Sequence, residues 1–217
     1  FLIRIILKKE NLLSIRQKFF CNFNFKKFNN AEVVIHFSSI GELNSIQFMI
    51  ENLSQNKILL SCSTLSSFQL AKKKYSQYEI IFLPLDFQWN VRKFLSKTNI
   101  LKFIWIDSEI WPNWLQEAKK NNIKNIIVNG RLSDKSYLRW MRVPNFARII
   151  GKKYDLIFAK SISDKEKFEK VFQTKSFFYG NLKFYLDINS QFIKKNNICF
   201  ASIHKNEFKK IITIINH

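Results

Sequence analysis

Glycine, proline and cysteine are scarce: four, three and three among 217 residues. With so few glycines there is no GxGxxG and no GxxxxGKS or GxxxxGKT, which excludes the usual backbone cradles for dinucleotides and nucleoside triphosphates. Cys21, Cys62 and Cys199 are odd in number and widely spaced, with no CxxC. That argues against a disulfide framework or a structural zinc and for a reducing, cytoplasmic setting. Long apolar runs are also missing: no stretch reaches the roughly 18 to 20 residues of a membrane span, and Arg4 interrupts Phe1 to Leu7. That opening run, followed by Lys8 and Lys9, still matches the cytosolic flank of an anchor. Acidic residues are few, 16 against 36 Lys plus Arg, for a formal charge of +20. Such a field attracts nucleic acid, nucleotides or anionic lipid. Lys, Asn, Ile and Phe dominate together, however, as A+T-rich coding produces without selection for charge.

The chain opens on Phe1 rather than Met and ends at His217 just after an apolar, helix-like run, so both ends are expected to be cut. Residues 1–30 are basic and aromatic, with Phe19, Phe20, Phe23, Phe25 and Phe28 among Lys18, Lys26 and Lys27. Three readings stand open there: stacking on single-stranded nucleic acid, resting on a membrane surface, or packing of the rings on the main domain.

From Val33 the pattern becomes regular. Short β-branched and aromatic runs at 33–37, 58–62, 80–83, 103–106, 126–129, 156–159 and 176–179 alternate with helix-length segments near 43–53, 66–75, 90–95, 112–121, 134–150 and 164–172. Continuous apolar strands separated by helices predict a parallel, Rossmann-like α/β sheet covered on both faces. This domain spans 31–185. Residues 186–217 read as a polar linker followed by the first β-α unit of a second domain, from Ile198.

What remains lies at strand ends, where open α/β sheets place their ligands. Gly41 and Glu42 follow the first strand; Glu42 opens a helix, whose dipole and free amides are expected to lower its pKa. An ordinary helix N-terminal glutamate is the alternative. His36 is a lone strand-end histidine of the kind usually hydrogen-bonded within the structure. Glu109 shares a turn with Trp111 and Pro112. Arg131 is placed to hold a carboxylate or phosphate, or to pair with Asp134. Asn181 and Lys183 sit in a Gly-initiated loop of the kind that walls an interdomain cleft. His36, His204 and Cys199 have no metal-ligand spacing.

Six runs occur in order: HFSSIGE (36–42), LPLD (83–86), DSEIWPN (107–113), NGRLSDKS (129–136), GNLKF (180–184) and ASIHKNE (201–207). Together they resemble the bacterial 3-deoxy-D-manno-octulosonic acid (Kdo) transferases, which read approximately HAxSxGE, LPYD, ESExWPN, NARLSxRS, GNLKFD and ASTHxGE. The resemblance covers nearly the whole chain from Ala31. It implies the N-terminal, acceptor-binding half of a GT-B glycosyltransferase, with CMP-Kdo as donor, the tetra-acylated disaccharide bisphosphate precursor of lipid A as acceptor, and no cofactor or metal. Glu42 becomes the general base, with Ser39, Gly41, Glu109, Asn113, Arg131, Asn181 and Lys183 as substrate-binding residues. The place implied is the cytoplasmic face of the inner membrane, on an anionic surface and without nucleic acid. Asp107, Gly130, Tyr185 and Asn206 depart from the pattern, and Ser67 stands where a glycine is expected. The donor-binding elements belong to the second domain, so this chain is expected to show little or no activity by itself. An inactive remnant binding anionic lipid is the alternative, and a basic RNA-binding domain ranks third.

Overall fold

The strands form where the apolar runs predict them, and long-range pairing then sets their order. The computed structural model describes residues 10–53, 57–107 and 109–182. Lys183, the linker and the β-α unit expected after it, and Phe1 to Leu7 lie outside the described residues. Strands β1 (Val33–Phe37), β2 (Ile58–Cys62), β3 (Glu79–Phe82), β4 (Lys102–Ile106), β5 (Lys124–Gly130), β6 (Leu156–Ala159) and β7 (Phe177–Phe178) make one sheet in the order 3-2-1-4-5-6-7. Every pairing is parallel. This is the doubly wound, Rossmann-like arrangement, and its order reverses between β1 and β4, opening a crevice at their carboxyl ends.

Alternate residues feed two cores. Val34, Leu59, Ile81, Phe103 and Trp105 enter one, and Ile35, Phe37, Leu60, Phe82 and Ile104 the other. Both faces are therefore covered, which is why the strands read as unbroken apolar runs. The buried indoles keep partners for their N–H groups: Trp105 Nε1 donates to Asn125 Oδ1 at 3.2 Å and Trp114 Nε1 to the Pro84 carbonyl at 3.0 Å.

The helices are α1 (Leu12–Phe20), α2 (Ile40–Ser45), α3 (Gln47–Asn52), α4 (Leu65–Lys74), α5 (Gln88–Leu95), α6 (Pro112–Lys120), α7 (Asp134–Met141), α8 (Pro144–Gly151) and α9 (Ile162–Phe172). Ser39, Thr64, Ser133 and Ser161 cap α2, α4, α7 and α9, each accepting the amide three residues on. Such caps are each worth about 1 kcal/mol. They also gather hydroxyls at the carboxyl edge of the sheet.

Two helices expected to be continuous are divided. The 43–53 segment begins earlier, at Ile40, and breaks at Ile46. The 134–150 segment breaks at Arg142 and Val143, because Pro144 disfavours helical geometry in the residue before it, and Val143 sits at φ −129°, ψ 56°.

Of the open readings for the N-terminal segment, packing describes Phe23, Phe25 and Phe28, whose rings cluster around Phe94 of α5 at 5.7, 6.1 and 6.2 Å. Phe20 stays exposed. Helix α1 lies along the edge strand β3: Gln17 Oε1 accepts the Phe82 amide at 2.8 Å, and the Lys18 carbonyl accepts that of Leu85 at 2.8 Å. These bonds occupy backbone groups that an open sheet edge would leave free.

Candidate active site

Ser38, the first residue after β1, joins the two carboxylates that sequence reading put at strand ends. Its amide donates to Glu42 Oε2 at 2.7 Å, and its hydroxyl donates to Glu109 Oε1. Glu42 and Glu109 are thus at one end of the sheet, in the crevice between β1 and β4. Ser39 holds Glu42 from the other side, donating to Oε1 at 2.8 Å while its own oxygen accepts the Glu42 amide at 3.2 Å. Glu109 also accepts from Trp111 Nε1. The chain turns back after β4 through Asp107, which adopts a left-handed φ of 64°, a conformation Asp tolerates better than most residues.

Burial is the dominant influence on Glu42, with Asp107 and Glu109 adding like charge, and together these outweigh the bonds from Ser38 and Ser39: its pKa is raised. This reverses the expectation from the helix dipole. The dipole argument considers α2 alone, whereas desolvation comes from the whole crevice. Gly41, beside it in the sequence, makes no turn of its own. Helix α2 already begins at Ile40, and a Cβ on Gly41 would meet nothing closer than Ser39 Oγ at 3.8 Å. The missing side chain leaves exposed backbone open at the rim.

His36 is fully buried on β1, between Trp105 and Trp111 at 5.6 and 5.8 Å. Its Nδ1 lies 3.0 Å from Ser61 Oγ and its Nε2 3.2 Å from Ser63 Oγ, which in turn is 3.0 Å from Ser38 Oγ. A hydroxyl has one proton. With the Ser38 hydroxyl donating to Glu109, it accepts from the Ser63 hydroxyl, which in turn accepts from His36 Nε2–H. Burial pushes the His36 pKa down to about 4, against a smaller upward pull from Glu109. Between its ordinary value of 6.5 and about 4 the unfolded chain takes a proton that the folded protein refuses. Stability should therefore fall as pH drops through that window, by up to about 3 kcal/mol. Denaturant unfolding from pH 7 to pH 4 should show this dependence in the wild type and a flatter one in His36→Gln. A His36 ring that titrates near 6.5 by NMR would show the ring to be solvated instead.

A cleft of about 380 Å³ opens beside Ser38, lined by Lys18, Ser63, Thr64, Leu85, Glu109 and Trp111 among others. Glu42 is bonded to the Ser38 backbone at its rim. A more apolar hollow of about 460 Å³ lies further along the same edge, between Phe48, Val128, Phe158 and Tyr179. Arg131 follows β5, two strands from β1, exposed and without a hydrogen bond or ion pair among the described residues. Asp134, its expected partner, pairs instead with Lys167 at 2.6 Å. Asn113 is engaged internally: its side-chain amide donates to the Asp86 carbonyl at 2.6 Å, while Asp86 Oδ1 and Oδ2 accept the Trp114 and Asn113 amides. This clamp ties the LPLD turn to α6. Asn181 is half-buried next to Leu182, whose amide donates to Asn129 Oδ1 at 3.3 Å. Where the family reads Ala, Gly130 leaves room for α9, since a Cβ there would stand 3.0 Å from the Phe168 ring and 2.7 Å from Ile127 Cγ2. Ser67, in place of the expected glycine, bonds Thr64 through its hydroxyl. Among the described residues no three His, Cys, Asp or Glu side chains group as metal ligands.

Sequence reading missed Ser38 as a site residue, along with Ser63 and Lys18. Ser38 carries a motif position but no chemistry of its own. Lys18 Nζ lies in the cleft wall, 2.8 Å from the Ser63 carbonyl and 2.9 and 2.8 Å from the two Glu10 oxygens. Nothing in its neighbours marks it out from the other basic residues of that segment.

Comparison with known proteins gives one answer. The profile of a family described as 3-deoxy-D-manno-octulosonic-acid transferase (kdotransferase) matches residues 14–186. The match begins inside α1, ahead of Ala31, from which the resemblance was read. The 3-deoxy-D-manno-octulosonic acid transferase of Rickettsia felis is 30% identical over 197 residues, covering 83% of this chain and 42% of its own. That of Aquifex aeolicus is 27% identical over 201 residues, covering 91% and 53%. A bifunctional glycosyltransferase/methyltransferase of Fusobacterium nucleatum is 28% identical over 200 residues, covering 88% and 30%. The chain thus spans about half or less of the length of these relatives. With the family profile covering the sheet and every motif from Glu42 to Asn181, the chain belongs to the 3-deoxy-D-manno-octulosonic-acid transferase family.

Proposed function

We propose that this chain is the acceptor-binding half of a GT-B glycosyltransferase that moves Kdo from CMP-Kdo to the lipid A precursor at the cytoplasmic face of the inner membrane. One observation supports it most: a carboxylate of raised pKa, Glu42, held by Ser38 and Ser39 at the point where the strand order reverses. In the proposed reaction an acceptor hydroxyl gives its proton to Glu42. The freed oxygen pair bonds to the anomeric carbon of Kdo, and the bond to CMP breaks with its electrons leaving on the phosphate. A carboxylate of raised pKa is a better proton acceptor at neutral pH than an ordinary one. Glu109, fixed by Ser38 and Trp111, shapes the pocket beside the base. Arg131 offers a cation to an acceptor phosphate or the Kdo carboxylate. A second domain supplies the donor site, and catalysis requires both reactants oriented across the cleft between the two.

The test joins residues 1–186 to the carboxy-terminal half of the Rickettsia felis relative and follows CMP release from CMP-Kdo. Release that depends on the tetra-acylated acceptor is the expected result. A cooperatively folded chimera that releases CMP no faster with acceptor than without it would refute the assignment.

A further inference from the structure

We propose that His36 is a positioning residue for Glu109: from inside the core it braces both groups that hold that carboxylate. Glu109 Oε1 accepts from the Ser38 hydroxyl and Oε2 from Trp111 Nε1. Ser38 leans on His36 through Ser63, whose Oγ is 3.0 Å from Ser38 Oγ and 3.2 Å from His36 Nε2. Trp111 leans on it directly, its ring nearly perpendicular to the imidazole at 5.8 Å. The kinetic part of the inference rests on the transferase reading; the state of the ring does not.

Counting protons gives the chain of bonds a direction. An ionised carboxylate only accepts, and a hydroxyl has one proton to donate. Glu109 therefore accepts from Ser38, Ser38 from Ser63, and Ser63 from the ring, which must carry its proton on Nε2. The other side of the ring agrees. A bare Nδ1 accepts from Ser61 Oγ at 3.0 Å, whereas the Ile35 carbonyl, which that hydroxyl would otherwise reach, is 3.5 Å away. No proton is transferred; each bond polarises the next. The framework around the chain is fixed as well. His36 is fully buried, Lys18 Nζ donates to the Ser63 carbonyl at 2.8 Å, and Thr64 Oγ1 donates to the Ser38 carbonyl at 2.9 Å. The pattern HAxSxGE leaves position 38 open, so the hydroxyl link belongs to this chain rather than to the motif.

The experiment is ring-nitrogen NMR of the full chain labelled in histidine, with His36 identified among the three histidines by its loss in His36→Gln. At neutral pH the proton should sit on Nε2 and exchange slowly with water. Ser38→Ala keeps the amide that Glu42 uses and touches neither ring nitrogen. It should nevertheless move the Nε2–H signal upfield, because Ser63 loses the acceptor that polarises it. Ser38→Thr keeps the hydroxyl and should leave the signal in place, as should Ser39→Ala, whose hydroxyl serves Glu42. In the completed two-domain protein, Ser63→Ala cuts His36 off from Ser38 and should lower kcat/KM about 5-fold, the worth of one neutral hydrogen bond. Once Glu109 has been replaced by Gln, the same change should cost little more, because the groups act as a unit. Full additivity of the two losses would overturn the positioning role. So would a ring proton on Nδ1, an Nε2–H signal unmoved by Ser38→Ala, or one moved equally by Ser39→Ala. A folded two-domain protein without acceptor-dependent turnover would refute the transferase reading instead, and the NMR result would still decide the state of His36.

Discussion

Replacing Glu42 by Gln in the completed two-domain protein is expected to lower turnover about 100- to 10,000-fold, the usual worth of general-base assistance, with little change in acceptor binding. The amide keeps the size of the side chain, and its oxygen can still accept from Ser38. What it lacks is a basic oxygen to take the acceptor proton. Loss confined to kcat is the mark of an interaction made in the transition state. The raised pKa of Glu42 adds a second signature. Activity needs the ionised carboxylate, so the acid limb of the pH–rate profile should lie above the ordinary glutamate value of 4.5. Weakening the burial should move that limb down. Glu109→Gln and Arg131→Gln should act on positioning, with mixed effects on KM and kcat. Undiminished transfer by Glu42→Gln, with chemistry rate-limiting, would remove Glu42 from the role and make Glu109 the next carboxylate to test.

Lys18→Met should destabilise the fold by about 3–5 kcal/mol, the range for removing one partner of a buried ion pair. The Lys18 and Glu10 side chains are only 6% and 1% exposed, 2.8 Å apart. Lys18 also holds the Ser63 carbonyl and lies 5.0 Å over the Phe82 ring. Methionine keeps the apolar length of the side chain but takes the cation from a carboxylate that water does not reach. Glu10→Leu/Lys18→Met should recover most of the loss, because an apolar pair of similar volume has no charge to desolvate. Denaturant midpoints of the wild type and both variants measure this. A loss below about 1 kcal/mol for the single variant is the behaviour of a solvated surface pair, and would contradict the burial. Because Ser63 carries the contact to Ser38, the same substitution should loosen the cleft that Lys18 lines.

How much was legible in the sequence follows from the range of each interaction. The strands at Val33, Ile58, Phe103 and Leu156 could be read because a sheet covered on both faces demands unbroken apolar runs, a property of each segment alone. Several helix starts could be read in the same way, Pro112 and Asp134 among them, because a proline at the first helical position or a hydroxyl cap acts within one turn. Glu42 was marked by its motif and by its place after a strand. The break before Pro144 was legible in principle but hidden by the apolar period that continues across it.

Only the tertiary structure decided the rest. Whether β1 lies next to β2 and β4 is settled by the packing of the whole sheet, and that order makes the crevice. Ser38 and Glu109 are 71 positions apart, and Lys18 and Ser63 are 45 apart; no local pattern predicts either contact. The pKa of Glu42 moved opposite to the expectation from its own helix, and His36 became a neutral, doubly bonded core residue, for one reason. Periodicity and capping are short-range and written in neighbouring residues, whereas desolvation is set by every element that closes over a charge, and exists only once the chain has folded.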